Sequence, residues 1–216
     1  MSALHHQLRQ KLRLYLVADT TLCGVDGLVD TVTRAVAGGV SFVQLRAKDA
    51  TTPERVEMAR DLKAALAGTG VPLLINDDVS AAIAADVDGA HIGQGDGAPA
   101  KARALLGPEK ILGLSCETPQ TVRAADPDIV DYLGLGPVFS TPTKADHKAP
   151  IGFDGLARMV QLTDLPCVAI GGLKAAHQPR VFAAGADGQA VVSAICGQDD
   201  PKAAAERFQH LKEVRP

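Results

Sequence analysis

Gln44, Arg46 and Lys48 stand two residues apart in the run Phe42-Val-Gln-Leu-Arg-Ala-Lys48. Side chains on an extended strand alternate faces. These three therefore share one face, and Val43, Leu45 and Ala47 share the other. Two cations and an amide on one face are costly to bury without partners. A solvated edge or internal acids would satisfy them. For a strand inside a parallel barrel, an anionic ligand such as a carboxylate or phosphate is the stronger reading.

A second polar run, Asn76-Asp77-Asp78, closes the apolar pair Leu74-Ile75. Asp78 has the place of a helix N-cap, which leaves Asn76 and Asp77 unexplained. His91-Ile-Gly-Gln-Gly-Asp96 closes the next apolar run. On neighbouring strands of a barrel, Asp77 and Asp96 come close, and close carboxylates repel unless a proton or cation lies between them. A hard, oxygen-liganded ion such as Mg²⁺ fits, with water and ligand phosphate completing its shell. The pair alone is a weak signal, because Asp is common in loops.

Ser115 ends a further apolar run as a neutral donor. Thr141-Pro-Thr-Lys144 has the hydroxyls and ammonium of a phosphate clamp and equally those of a solvated loop. Ile170-Gly171-Gly172 and Val192-Ser193 have the composition of a backbone phosphate cradle at the last two strands of a barrel. His91 reads as a core histidine with a satisfied N–H. His5, His6, His177 and His210 read as surface residues, and His147 is undecided. No cysteine has a local His partner, so no activated nucleophile is visible. The sum is two anion sites, one for a pyrophosphate and one for a monophosphate. Transfer of a group from a pyrophosphate ester to a phosphorylated acceptor joins them.

The elements that must position these residues alternate along the chain. Strand-like runs fall at 14–18, 42–46, 72–76, 89–92, 111–115, 132–136, 167–170 and 188–192. Helical runs lie near 27–38, 53–67, 79–85, 98–106, 119–125, 154–162, 177–184 and 200–214. Eight strand–helix units predict a single α/β domain of the (β/α)₈ TIM-barrel class over 14–216, behind an extension or short surface helix at 1–13. An open doubly wound sheet fits less well, since no strand opens into a G-x-G-x-x-G turn. Asp86-Val-Asp-Gly-Ala-His-Ile-Gly93 echoes Gly185-Ala-Asp-Gly-Gln-Ala-Val-Val-Ser193, and Asp131-Tyr-Leu-Gly134 is a shorter version. The segment 137–153 has neither helical nor strand period and reads as a lid.

The 216 residues are 46% hydrophobic and 22% charged, with mean hydropathy +0.08, which excludes disorder, collagen and coiled coil. No apolar run approaches the roughly 18 residues of a membrane span. A net charge of −3 gives no general reason to bind nucleic acid or an anionic membrane. Cys23, Cys116, Cys167 and Cys196 are widely spaced and form no CxxC pair. They read as free thiols of a reducing compartment, the cytoplasm.

In this order, a set of short motifs resembles the thiamine-phosphate synthase family. They are Gln-Leu-Arg-Ala-Lys at 44–48, Leu-Ile-Asn-Asp at 74–77, Asp-Gly-Ala-His-Ile-Gly-Gln at 88–94 with Asp96, and Gly-Leu-Ser at 113–115. Gly-Leu-Gly-Pro-Val-Phe-Ser-Thr-Pro-Thr-Lys at 134–144, Ile-Gly-Gly at 170–172 and Val-Val-Ser-Ala-Ile at 191–195 complete it. Individually weak, together they are specific and run from Leu14 to the last helix. The resemblance implies a barrel enzyme that joins 4-amino-5-hydroxymethyl-2-methylpyrimidine diphosphate to 4-methyl-5-(2-phosphoethyl)thiazole, giving thiamine phosphate and pyrophosphate. It implies that Gln44, Arg46, Lys48, Asn76, Ser115 and Lys144 bind the pyrimidine diphosphate, and that Asp77 and Asp96 ligate Mg²⁺. Thr141, Thr143, Gly171, Val192 and Ser193 would hold the thiazole phosphate. Arg46, Lys48, Lys144 and Ser115 would carry catalysis, by stabilising the departing pyrophosphate while a pyrimidinylmethyl cation is captured by the thiazole nitrogen. Ala47 stands where the family usually has Glu, on the face turned away from the polar set. A thiazole tautomerase of the same barrel family and a non-catalytic phosphate-binding barrel are the alternatives. The sequence sets no oligomeric state, a homo-oligomer included.

Overall fold

The structure, a computed structural model, describes residues 3–24, 27–141 and 149–209. The chain opens with α1 (Ala3–Lys11), β1 (Leu14–Asp19), α2 (Thr20–Cys23), α3 (Leu28–Ala37) and β2 (Phe42–Arg46). It continues with α4 (Thr52–Ala65), β3 (Leu73–Asn76), α5 (Val79–Ala84), β4 (Gly89–Ile92), α6 (Pro99–Leu106) and β5 (Ile111–Cys116). Then follow α7 (Pro119–Arg123), β6 (Tyr132–Leu135), α8 (Gly152–Val160), β7 (Cys167–Ile170), α9 (Gln178–Ala183), β8 (Gly188–Val191) and α10 (Pro201–Glu206). Each strand pairs in parallel with the next, and β8 closes on β1. The chain is the expected (β/α)₈ barrel.

Period two sorts the strand residues into two cores. Leu14, Leu16 and Ala18 of β1, Val43 and Leu45 of β2, and Leu73 and Ile75 of β3 face outward, into the layer between sheet and helices. Tyr15, Val17, Phe42, Leu74, Tyr132, Val168 and Ala190 face inward and fill the barrel. Leu8 of α1 and Leu12, just after it, join this inner cluster at 1% and 0% exposure, so the N-terminal segment plugs the barrel floor. The helix keeps an exposed outer face, as expected of a surface helix, and buries Leu8 against the barrel floor.

The sequence echo has a structural cause at the entrance to the strands. Asp88 accepts the Leu73 N–H at 2.8 Å and gives its own N–H to the Leu73 carbonyl at 3.0 Å. Asp131 does the same to Leu112, at 2.7 and 2.8 Å, and Asp187 to Cys167, at 2.8 Å in both directions. Ser41 makes the equivalent pair with Leu14, at 3.2 and 2.9 Å. Each latch ties the residue entering an even strand to the start of the odd strand before it. Backbone groups there lie at the end of the ladder and need a side-chain partner. Gly89 and Gly188 follow two of the latches because a Cβ would lie 1.9 Å from the Ile111 carbonyl oxygen and 2.0 Å from that of Leu12.

Climbing the barrel, the inward positions change from apolar to polar. Phe42 gives way to Gln44 and Arg46, Leu74 to Asn76, Tyr15 and Val17 to Asp19, and Gly113 to Ser115. Small residues at Gly134 and Ala190 leave space among them. The polar layer opens at the C-terminal ends of the strands, where barrels carry their chemistry.

Candidate active site

A cavity of about 430 Å³ opens at that rim. Gln44, Arg46, Lys48, Asn76, Asp77, Asp96, Ser115, Thr141, Gly171, Val192 and Ser193 all line it. Every described residue singled out from the sequence is thus brought to one place, although no two strands supply adjacent stretches of chain. Thr143 and Lys144, together with His147, lie outside the described residues, as does the segment 142–148 of the expected lid.

The cationic side is built on β2. Gln44 is buried and Arg46 half-buried, and Lys48 is exposed on the loop that follows. Arg46 is held from below by Asp19, its register partner on β1. The Asp19 carboxylate is wholly buried, takes an Nη1 hydrogen bond from Arg46, and accepts the Thr21 N–H at 2.9 Å, which starts α2. A buried carboxylate thus fixes the guanidinium, whose charge also reaches Asp77 across the cavity. Sequence reasoning missed Asp19. The available signal was the continuation of the inward set Tyr15, Val17 by one more step of two.

The acidic side joins the ends of β3 and β4. Asp78 is the N-cap of α5 and accepts the Ala81 N–H at 2.9 Å, as expected. Asp77 sits at φ +63, a left-handed conformation that Asp tolerates better than most residues. That backbone turn sends its side chain to the cavity beside Asp96, while its N–H is tied to the His91 carbonyl at 2.8 Å. Asn76 Nδ2 donates to Asp77 Oδ2 at 2.6 Å, and Asp96 Oδ2 accepts the Gly93 N–H at 2.7 Å. Desolvation, then the hydrogen bond and charge of Asp96, push Asp77 up to about 6, against the pull of Asn76 and Arg46. The two carboxylates share a site that wants a proton or a cation. Among the described residues no group of three acidic, His or Cys ligands forms.

The phosphate-cradle glycines, at φ +101 and +62, have a second reason to be glycine. A Cβ on Gly171 would lie 2.6 Å from the Pro137 Cβ, and one on Gly172 would lie 2.8 Å from the Phe139 Cβ. They admit the segment after β6 as well as any ligand. Val138 and Phe139 donate their N–H groups to the carbonyls of Ile170 and Gly171 at 2.8 and 3.0 Å, which pins that segment to the end of β7.

His91 is buried but it is more than core filling. Its Nε2 is 2.9 Å from Ser115 Oγ and its Nδ1 is 2.7 Å from the Tyr132 hydroxyl. Tyr132 in turn meets the Tyr15 hydroxyl at 2.9 Å, and Gln44 Nε2 donates to Tyr15. The two tyrosines read as apolar strand positions in the sequence, which conceals their hydroxyls. His177, expected on the surface, packs its ring 4.9 Å from Phe139.

Arranged in this way, the rim can hold an anion against Arg46 and Lys48, a hard cation against Asp77 and Asp96, and a flat polar ring between Gln44 and Ser115. A family model described as thiamine monophosphate synthase matches residues 14–195. A protein named thiamine-phosphate synthase from Xanthobacter autotrophicus is 54% identical over 198 residues, 92% of this chain and 94% of that one. Another of that name from a Psychrobacter species is 49% identical over 205 residues, 94% and 96% of the two chains. A solved thiamine phosphate pyrophosphorylase from Pyrococcus furiosus superposes with a TM-score of 0.85 at 33% identity, covering 94% of this chain and 96% of that one.

Proposed function

Because the chain belongs to the thiamine monophosphate synthase family, we propose that its rim cavity joins the pyrimidine diphosphate to the thiazole phosphate and releases pyrophosphate. The observation that carries this reading is the convergence, from separate strands, of a cationic side and an acidic side on one cavity. Arg46 and Lys48 take the diphosphate, whose charge grows as it leaves; preorganised cations stabilise that change without reorganising. Asp19 keeps the guanidinium in place between turnovers. Gln44, Asn76 and Ser115 orient the pyrimidine. Thr141, Gly171, Val192 and Ser193 hold the thiazole phosphate, with Thr143 and Lys144 assigned by sequence motif. Positioning the thiazole nitrogen against the methylene carbon and keeping water away are the remaining tasks of the protein.

Asp77 and Asp96 would hold Mg²⁺. Two carboxylates are a small donor set, but Mg²⁺ keeps several waters and takes substrate phosphate oxygens as ligands. The raised Asp77 carboxyl supports the fit, since a divalent cation beside it would offset the burial first and then the repulsion from Asp96 that raise it. The chemistry such an ion supplies is neutralisation of the diphosphate charge. No helix among the described residues is long and apolar enough to cross a membrane, and the four cysteines are free; we assign the chain to the cytoplasm.

Incubation with each substrate alone, with both, and with or without Mg²⁺ tests the proposal by release of pyrophosphate. Release that needs both substrates and the ion is expected. Isomerisation of a thiazole precursor without release would instead identify a tautomerase, and binding without turnover a phosphate-binding barrel.

A further inference from the structure

A hydrogen-bond chain crosses the cavity floor from β2 to β5. It runs Gln44 Nε2, Tyr15 hydroxyl, Tyr132 hydroxyl, His91, Ser115 Oγ, and both of its ends line the cavity. With His91 neutral, each inner member accepts once and donates once along the chain. The sense of one link therefore fixes the others. The Gln44 amide nitrogen donates to Tyr15, so Tyr15 donates to Tyr132 and Tyr132 donates to His91 Nδ1. His91 must then carry its proton on Nε2 and give it to Ser115 Oγ. Two groups are left over at the ends. Ser115 retains its own proton and a second lone pair, and Gln44 retains Oε1 to accept together with a second Nε2 proton.

The surroundings preserve this chain. Both tyrosines are buried, and burial pushes both hydroxyls well above the usual phenol range, so neither ionises at working pH. Phe42 packs 4.6 Å from the Tyr15 ring and 5.7 Å from the Tyr132 ring, which fixes both. At Gly113 a Cβ would lie 2.3 Å from Tyr132 Cζ and 2.4 Å from His91 Nδ1. Any side chain there would occupy the link between them, so the glycine keeps the path open.

We propose that Tyr15, Tyr132 and His91 are positioning residues that set specificity for an aminopyrimidine over the corresponding oxopyrimidine, by holding Gln44 as an acceptor and Ser115 as a donor. The inference rests on the pyrimidine diphosphate reading above. An aminopyrimidine presents an amino N–H for Gln44 Oε1 and a ring-nitrogen lone pair for the Ser115 hydroxyl. The oxo analogue presents a carbonyl oxygen and a ring N–H, the opposite sense at both ends. To pair with it where Oε1 and the Ser115 proton now point, either the amide must turn over, which reverses the chain through both tyrosines and His91, or the ligand must shift to the second Nε2 proton while the Ser115 hydroxyl turns its proton away. Sites that match a substrate's hydrogen-bonding groups discriminate strongly because a mismatch leaves buried polar groups unpaired.

Tyr132→Phe cuts the chain in the middle and keeps the ring. The amino and oxo pyrimidine diphosphates are compared by kcat/KM in wild type and variant, with the KM for thiazole phosphate as a control. Wild type is expected to favour the amino compound by about a thousandfold or more, and the variant to lose roughly tenfold or more of that ratio. The thiazole phosphate KM stays within about twofold of wild type, because Tyr132 does not contribute to that side of the cavity. A ratio unchanged in the variant overturns the proposal while leaving the activity intact. No pyrophosphate from wild type with both substrates overturns the activity reading, and this inference with it. An independent readout needs no turnover: ¹H–¹⁵N correlation of the histidine rings, assigned with His91→Asn, should show the proton of His91 on Nε2. A proton on Nδ1 contradicts the assigned polarity.

Discussion

Replacing Asp19 by Asn tests how the cationic side of the cavity is held. Asp19 is wholly buried and the Arg46 side chain is 15% exposed, so both charges are largely out of water. Asn has the same shape and retains a carbonyl oxygen for the Thr21 N–H, but its Nδ2 stands where the other oxygen accepted from Arg46, so the substitution removes the charge and the Arg46 hydrogen bond together. Breaking a buried pair from one side costs about 3–5 kcal/mol, because the remaining ion is left without compensation. Arg46 borders the cavity, where water partly screens it, so the lower end applies, about 3 kcal/mol. With a urea m-value of about 2 kcal/mol/M, the midpoint should fall by roughly 1.5 M. On heating, Tm should fall by about 6–12 °C. Pyrophosphate supplies the missing counter-charge, so it should stabilise the variant more than wild type when both are compared at saturation. Urea melts with and without pyrophosphate decide the matter. A variant within about 0.5 kcal/mol of wild type, or equal stabilisation of both by the anion, would refute the reasoning.

Three further outcomes are expected. Arg46→Ala and Lys48→Ala should each lower kcat by about 10²–10³, with the thiazole phosphate KM nearly unchanged; near-normal turnover in pyrophosphate-release assays contradicts the assignment. Asp77, raised to about 6 from the usual 3.8, binds its proton more tightly folded than unfolded, so without metal it contributes stability below about pH 4 that is lost as pH rises through 6. Mg²⁺ competes with that proton. The ion should therefore raise Tm at about pH 8 and do little at about pH 5, and Asp77→Asn should abolish the shift. Among the strand latches, Asp131 also pairs with the Arg103 guanidinium at 2.6 Å, with both side chains under a fifth exposed, whereas Asp88 has no ion pair among the described residues. Asp131→Ala should cost about 3 kcal/mol and Asp88→Ala about 1 kcal/mol in urea melts; the reverse order contradicts the account.

The strands were legible because a barrel strand has two faces with different duties. The alternation of Gln44, Arg46 and Lys48 against Val43, Leu45 and Ala47 identified which face meets the cavity, and the structure bears it out. The expected strand limits lie within one residue of the observed ones. That single residue mattered at β1, where ending the strand at Ala18 discarded Asp19, the anchor of Arg46. The final helix, expected over 200–214, is described only over Pro201–Glu206. Tyr15 and Tyr132 were hidden for another reason. An aromatic residue in an apolar run signals packing, and a hydroxyl partner on a distant strand leaves no local trace. The glycines at 171 and 172 were expected to let a ligand approach, whereas the closest atoms they clear belong to Pro137 and Phe139. Contacts of that kind depend on how the segment after β6 folds back, which no spacing rule encodes.

A crystal structure with the pyrimidine diphosphate bound and Mn²⁺ in place of Mg²⁺ tests the central claim most directly, because the anomalous signal of the metal locates it without prior assumptions. The account predicts one metal peak between the carboxylates of Asp77 and Asp96, with the diphosphate oxygens against Arg46 and Lys48. A diphosphate seated away from those cations, or a metal that touches neither aspartate, would contradict it.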